Sequence, residues 1–224
     1  MSPMPTQMRN RWDGRPETPP GHGIIYWHML MKYHQQVCDT AVEAQKVLDN
    51  FSGLHMTPRE WLHITTYIAG STEEIARDQM LTMVSSAQDS LRDVAPISVT
   101  VERIFYHPEA ISLGVQPSWA LLPILDAAQS ATRTVMGSEP VSEDPPTPWI
   151  PHITVSYSTA DQPAGPIISA LGTEVPKCEA VIDALTLVIQ WGPERRWEWE
   201  PVGTAYCAAT PGELPGISSD HASS

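Results

Sequence analysis

Trp61-Leu62-His63-Ile64-Thr65-Thr66-Tyr67-Ile68 and Trp149-Ile150-Pro151-His152-Ile153-Thr154-Val155-Ser156-Tyr157 carry one short pattern, once in each half of a 224-residue chain. In both, a tryptophan is followed by His-Ile-Thr. A Thr-Pro pair stands just upstream, as Thr57-Pro58 and Thr147-Pro148. β-branched and aromatic residues dominate each stretch, which predicts a strand. Side chains alternate across a strand. His63, Thr65 and Tyr67 are therefore expected on one face, and Leu62, Ile64, Thr66 and Ile68 on the other. In the second copy His152, Thr154 and Ser156 oppose Ile153, Val155 and Tyr157. Each copy sets a His beside a Thr on a polar face backed by an apolar one. Self-similarity on this scale predicts two related lobes rather than a solenoid.

Outward from these strands the pattern alternates in type. Gly23 to Met31 reads as a strand. Val37, Ala41, Ala44, Leu48 and Phe51 recur at helical spacing, with Gly53 as a stop. Ser71 with Glu74 reads as a capping box opening a helix striped by Ala76, Met80, Met83, Ala87 and Leu91. Ile97 to Tyr106 and Ala110 to Val115 read as paired strands. Ser118 is expected to cap a helix through Val135, Pro123 lying in its first turns, where it costs least. Gly137 to Pro148 is a Pro- and acid-rich loop. Ala164 to Leu171 reads as a short helix. Val181 to Trp191 and Arg196 to Cys207 read as a hairpin. Hairpins mixed with helices argue for an α+β fold with largely antiparallel sheets. Residues 1–20 are expected to form a flexible arm, 21–208 the folded domain, and 209–224 a disordered tail.

Composition limits the function. The net charge is -13, with no basic run beyond Arg195-Arg196. Gripping a long nucleic acid needs a basic face that displaces counterions, so a long RNA is a poor candidate. A small nucleotide or a short RNA end needs only a few local donors. No window approaches the ~20 apolar residues that span a bilayer, and Met1 to Pro20 lacks the apolar core of a secretory signal. A cytoplasmic protein is expected, with no membrane partner. A domain of this size needs no second copy to fold, so a monomer is expected. Cys38, Cys178 and Cys207 are widely spaced, form no metal-like cluster, and read as small buried apolar residues.

Two histidines suit proton transfer at neutral pH. A neutral His63 or His152 can take a proton from water or a hydroxyl while the other, protonated, gives one to a leaving oxygen. Thr65 and Thr154 can donate to non-bridging phosphate oxygens and steady the developing charge. The arrangement requires no metal and no cofactor. Tyr67 and Ser156 follow on the same face and are candidates for substrate contact, ordinary lining being the plainer reading. Tyr26 and His28 share one face of the first strand and could stack on a base or simply pack. Arg103 could pair with phosphate or with a neighbouring acid such as Glu102. Trp197 and Trp199 read as a half-buried hairpin strand without function. His55 reads as a solvated loop residue.

The segments His63-Ile64-Thr65-Thr66 and His152-Ile153-Thr154-Val155 resemble the twin HxTx motifs of the two-histidine (2H) phosphoesterase superfamily. That superfamily includes bacterial RNA 2′,3′-cyclic phosphodiesterases, also called 2′-5′ RNA ligases. The resemblance spans Gly23 to Cys207. It implies two α+β lobes related by a pseudo-twofold, both motif strands facing a central cleft. It also implies metal-independent hydrolysis or transesterification of cyclic phosphodiesters, with His63, Thr65, His152 and Thr154 as catalytic positions. Thr66 stands where an apolar residue is more usual. A nucleotide-binding module of the same fold, without turnover, is the alternative, since fold alone never fixes function.

Overall fold

The computed structural model describes residues 4–137 and 148–209; the Pro- and acid-rich loop and most of the C-terminal tail lie outside them. The apolar, β-branched run near the N-terminus forms β2 (Gly23–Leu30), entered from β1 (Gln7–Met8). α1 (Gln35–Leu48) buries Val37, Cys38, Ala41, Ala44 and Leu48, one stripe at helical spacing. β3 (Leu54–Met56) leads to a 3-10 turn over Arg59–Trp61, then β4 (His63–Ser71) and α2 (Arg77–Leu91). The hairpin β5 (Ile97–His107) and β6 (Ala110–Gln116) is followed by α3 (Leu122–Met136), then β7 (His152–Ser158). β8 (Gln162–Pro163), α4 (Gly165–Leu171), β9 (Glu174–Ile182), β10 (Ala184–Trp191) and β11 (Trp199–Tyr206) complete the chain.

The strands form a sheet ordered β11-β10-β2-β4-β7-β6-β5-β9, with β3 paired to β7 beside this path. Every described pairing is antiparallel, as the α+β reading expected. The two lobes are two half-sheets, β11-β10-β2-β4 and β7-β6-β5-β9. A single residue pair, Ile64 with Ile153, joins them. Those two isoleucines are fully buried and face away from the histidines. The helices exchange sides. α1 follows β2 but packs on β7, β9 and α4 of the other half. α3 follows β6 but packs on α2 and β4. One continuous core results, with Trp27 fully buried and its Nε1 donating to Thr132 Oγ1 at 3.1 Å.

Several expectations are corrected. Ser71 and Glu74 do bond, through Ser71 N and Oγ to Glu74 Oε2 at 3.0 and 2.9 Å. Ser71 is held in the β2–β4 ladder opposite Ile24, so this bond closes a turn instead of starting a helix. α2 begins later, where Ala76 N donates to Gln79 Oε1 at 2.8 Å. Ser118 to Leu121 is a 3-10 turn ahead of α3. β9 escaped the reading because its inward residues after Pro176 are Cys178, Ala180 and Ile182, two of them too small to print a strong alternation.

Residues 7–11 of the arm are seated on the fold. Met8 is fully buried, and β1 pairs with β8. Arg9 N donates to Pro108 O at 2.7 Å and Arg11 N to Ser158 O at 2.8 Å. One apolar side chain seated in the core, plus backbone pairing, offsets the polar character of the stretch. All three cysteines are free and buried. Among the described residues no helix is long and apolar enough to cross a membrane.

Candidate active site

β4 and β7 lie side by side, and the Ile64–Ile153 pair sets their alignment. Counting outward from it, His63 falls opposite Thr154 and Thr65 opposite His152, all four on one face. The two rings are held alike. His63 Nδ1 lies 2.7 Å from Trp61 O, and His152 Nδ1 lies 2.8 Å from Ile150 O. A carbonyl oxygen can only accept, so Nδ1 carries the hydrogen in each ring and Nε2 is left for chemistry. Trp149 Nε1 donates to Thr65 O at 3.1 Å and ties the second motif's lead-in to the first motif's strand. The Thr154 hydroxyl meets Ser112 Oγ at 3.1 Å.

The rings differ in setting. His63 is 8 % exposed, while His152 is open to solvent. Burial lowers the His63 pKa to about 4, opposed by its bond to the Trp61 carbonyl and reinforced by His152. His63 is therefore neutral at physiological pH. Trp199 stands edge-on to it at 4.6 Å, Trp197 at 6.5 Å, and His28 lies at 4.3 Å.

Strict alternation misplaces the residues beyond the two threonines. Both strands bulge one residue after the motif threonine. Opposite Trp27 and His28 stand Tyr67 and Thr65, so Thr66 is the extra residue in β4. Opposite Ile111 and Ser112 stand Ser156 and Thr154, so Val155 is the extra residue in β7. A bulge shifts every later side chain to the other face. Tyr67 therefore packs on the core with Trp27, and Ser156 is fully buried with Oγ 3.4 Å from His55 O. Neither reaches the cleft. Ile68 and Tyr157 take their places on the cleft face.

Tyr26 and His28 do share a face, but His28 is 1 % exposed, stacked between Tyr26 at 5.1 Å and Trp199 at 4.8 Å. It backs His63 and offers no surface to a substrate. Burial, then the charge of His63, holds its pKa well below the usual value. Tyr26 is half-buried. Burial, then the Glu194 carboxylate, pushes the phenols of Tyr26 and Tyr157 up to about 12.

The sequence reading missed several cleft residues. Trp197 and Trp199 form an aromatic wall with Tyr157 and Val188. Trp197 reaches it by adopting a left-handed conformation (φ 57°) after the 3-10 turn Glu194–Arg196. His55 lies parallel to Trp197 at 6.3 Å and accepts its Nε1 hydrogen bond at 3.3 Å. On the second half, Phe105 pairs with Ser112, and its ring lies over Gly114, which pairs with His152. A Cβ on Gly114 would stand 2.5 Å from Phe105 Cζ, so only glycine lets the ring lie there. Arg103 shares that face opposite Gly114 and is exposed. Among the described residues no carboxylate approaches it within 4.0 Å. Arg103 is already a candidate from the sequence; the signal for Phe105 was its shared parity with Arg103 on β5, read against a partner strand the sequence does not name.

Among the described residues no three His, Cys, Asp or Glu side chains gather as a metal site. The four motif side chains provide two nitrogen acid-base groups and two hydroxyl donors around a space open at His152. Such a set can accept one proton, give another and hold an oxyanion between them.

Comparison with known proteins gives the lineage. No curated protein matches the chain. Among solved structures, TT0787 of Thermus thermophilus superposes with a TM-score of 0.62 at 17% identity, covering 82% of this chain and 97% of its own. E. coli LigT complexed with 3′-AMP superposes with a TM-score of 0.62 at 12% identity, covering 84% and 99%. E. coli LigT complexed with ATP gives 0.61 at 12% identity, with the same coverage. These likenesses show the fold. The model of the 2′-5′ RNA ligase superfamily matches residues 36–193, more than half of the sequence. The chain belongs to the 2′-5′ RNA ligase superfamily.

Proposed function

We propose that the protein is a phosphoesterase that opens 2′,3′-cyclic phosphodiesters on RNA ends or small nucleotides with water, and forms a 2′-5′ linkage when a nucleotide 5′-hydroxyl attacks in place of water. The observation that carries this is the twin anchoring of His63 and His152, each by Nδ1 to a carbonyl two residues back, each beside a motif threonine. Neutral His63 takes the proton of the attacking water at Nε2. The water oxygen bonds to phosphorus as the bond to one ribose oxygen breaks. His152 gives that leaving oxygen a proton from Nε2. Thr65 and Thr154 donate to the non-bridging oxygens. Every step uses side chains alone.

Phe105 and Arg103 extend the site on the open side. The half-exposed Phe105 ring offers a face for a base, and the exposed Arg103 guanidinium offers a fork for a phosphate. The LigT complexes with 3′-AMP and ATP favour a nucleotide ligand in this fold. Phe105→Ala is expected to weaken nucleotide binding about tenfold, the scale of one lost base stack. Gly114→Ala should reproduce that loss by lifting the ring. Isothermal titration with a nucleoside 2′- or 3′-monophosphate reads both, and unchanged affinity in both variants removes Phe105 from the site.

The direct test is hydrolysis of 2′,3′-cyclic mononucleotides, and of a short RNA ending in a cyclic phosphate, with EDTA present. Ring opening is expected with kcat/KM falling on the acid side near pH 4, where His63 takes its proton, and not near 6.5. Nucleotide binding with no product across such a panel would favour the binding-module reading. Dependence of the rate on an added divalent ion would rule out the side-chain-only mechanism.

A further inference from the structure

The N-terminal segment crosses the cleft face. It leaves the second half where Arg9 and Arg11 bond the backbone at Pro108 and Ser158, and reaches the first half at β2. On the way Arg11 bridges both halves. Its guanidinium meets Glu109, in the β5–β6 turn, at 3.1 Å and Glu194, in the β10–β11 connection, at 3.1 and 3.3 Å. It also sits 5.3 Å from the centre of the Tyr157 ring. Trp12 packs on His55 at 5.5 Å and on Tyr157 at 5.8 Å. Tyr157 in turn meets Trp197 at 6.0 Å, and Trp197 meets His63. Segment, wall and buried histidine are thus one contact chain. By holding Glu194, Arg11 also fixes the turn that delivers Trp197 in its left-handed conformation. Between the segment and β2–β10 a recess of about 210 Å³ remains, lined by Arg11, Trp12, Tyr26, Gln190 and Glu194. Sites that take small ligands usually enclose roughly 300 Å³ or more, so a nucleotide does not thread beneath the segment.

From this we propose that residues 9–18, with Trp197, are a specificity strap. It closes the cleft on the His63 side, leaves entry from the His152 side alone, and so limits substrates to phosphodiesters at a chain end or on a small nucleotide. A linkage inside a longer chain needs room for nucleotides on both sides of the phosphorus, and the strap and its aromatic wall occupy one of them. This inference rests on the phosphoesterase reading for its substrate and on contacts alone for the closed side.

The test compares the wild type with Arg11→Ala/Trp12→Ala, which keeps Met8 and the β1–β8 pairing, each checked for folding by circular dichroism. The substrates are a 2′,3′-cyclic mononucleotide and a short RNA with one internal 2′-5′ linkage flanked on both sides. The wild type should prefer the cyclic ester, and the double variant should narrow that preference by roughly tenfold or more. Acylation by diethyl pyrocarbonate, read by mass spectrometry, should mark His152 faster than His63 in the wild type, with the gap closing in the variant. The strap is refuted if the wild type cleaves the internal linkage as fast as the cyclic ester, or if the variant leaves both preference and labelling unchanged. A folded variant that loses turnover of the cyclic ester also refutes it, since the segment would then serve the reaction itself. If the wild type turns over neither substrate, the phosphoesterase reading falls, and the labelling alone still decides whether the His63 side is closed.

Discussion

His63→Ala and His152→Ala are each expected to lower kcat/KM for a cyclic phosphodiester by at least ~100-fold, the scale of one general acid or base. Each ring is held by a single short bond to a backbone carbonyl, so its Nε2 is aimed by the strand itself. No neighbouring nitrogen can substitute. His28 is the nearest ring to His63, yet it is buried behind it and kept neutral. In the proposed mechanism the two histidines serve one concerted transfer, so the double variant should fall little below the worse single one. Steady-state rates on a cyclic mononucleotide decide this, with unfolding curves beside them because His63 is part of the packed wall. Either single variant keeping more than about a tenth of the wild-type rate would end the two-histidine mechanism.

The second large effect is on stability in acid. His63 has a folded pKa of about 4, and that of His28 lies well below 6.5, both through burial. The unfolded chain binds these protons near pH 6.5 and the folded chain does not. Stability is therefore complete above 6.5 and falls as the pH drops toward the folded values. For His63 alone the loss between pH 7 and pH 4 is about 3 kcal/mol. Urea unfolding at pH 7 and at pH 4.5 should show a marked drop in midpoint. His28→Phe keeps the stack with Tyr26 and Trp199 while removing a titrating nitrogen. That variant should lose less stability between the two pH values. An equal loss in both proteins would mean that His28 does not stay neutral in the fold.

The architecture was legible because the His-Ile-Thr copies carry strand composition and period together. His63, Thr65, His152 and Thr154 fall on one face by alternation, and they do so before either bulge intervenes. One residue later the rule breaks. Thr66 and Val155 look like ordinary strand residues, and only the partner strands reveal that each is unpaired. Tyr67 and Ser156 were misplaced for that reason, and Tyr157 was missed. The wall was illegible for another reason. Trp197 and Trp199 alternate with charged residues as any surface hairpin does, and the left-handed backbone at Trp197 has no glycine to announce it. The seated arm depended on one methionine, Met8, whose pocket is built by residues far away in sequence. Arg103 was legible as a phosphate candidate, but Phe105 needed the order of the sheet, which pairing over long sequence distances supplies.

The exchange of α1 and α3 between the halves has a consequence for how this protein could be divided. Each half-sheet is roofed by a helix that the other half's chain supplies, so a fragment ending after β6 would expose the apolar underside of its own strands. Two copies of such a fragment could cover each other only by trading helices, as a swapped dimer does. In the present fold one chain makes that exchange of α1 and α3 within itself. Its two histidines meet at the seam, where a half made alone would meet only its own duplicate.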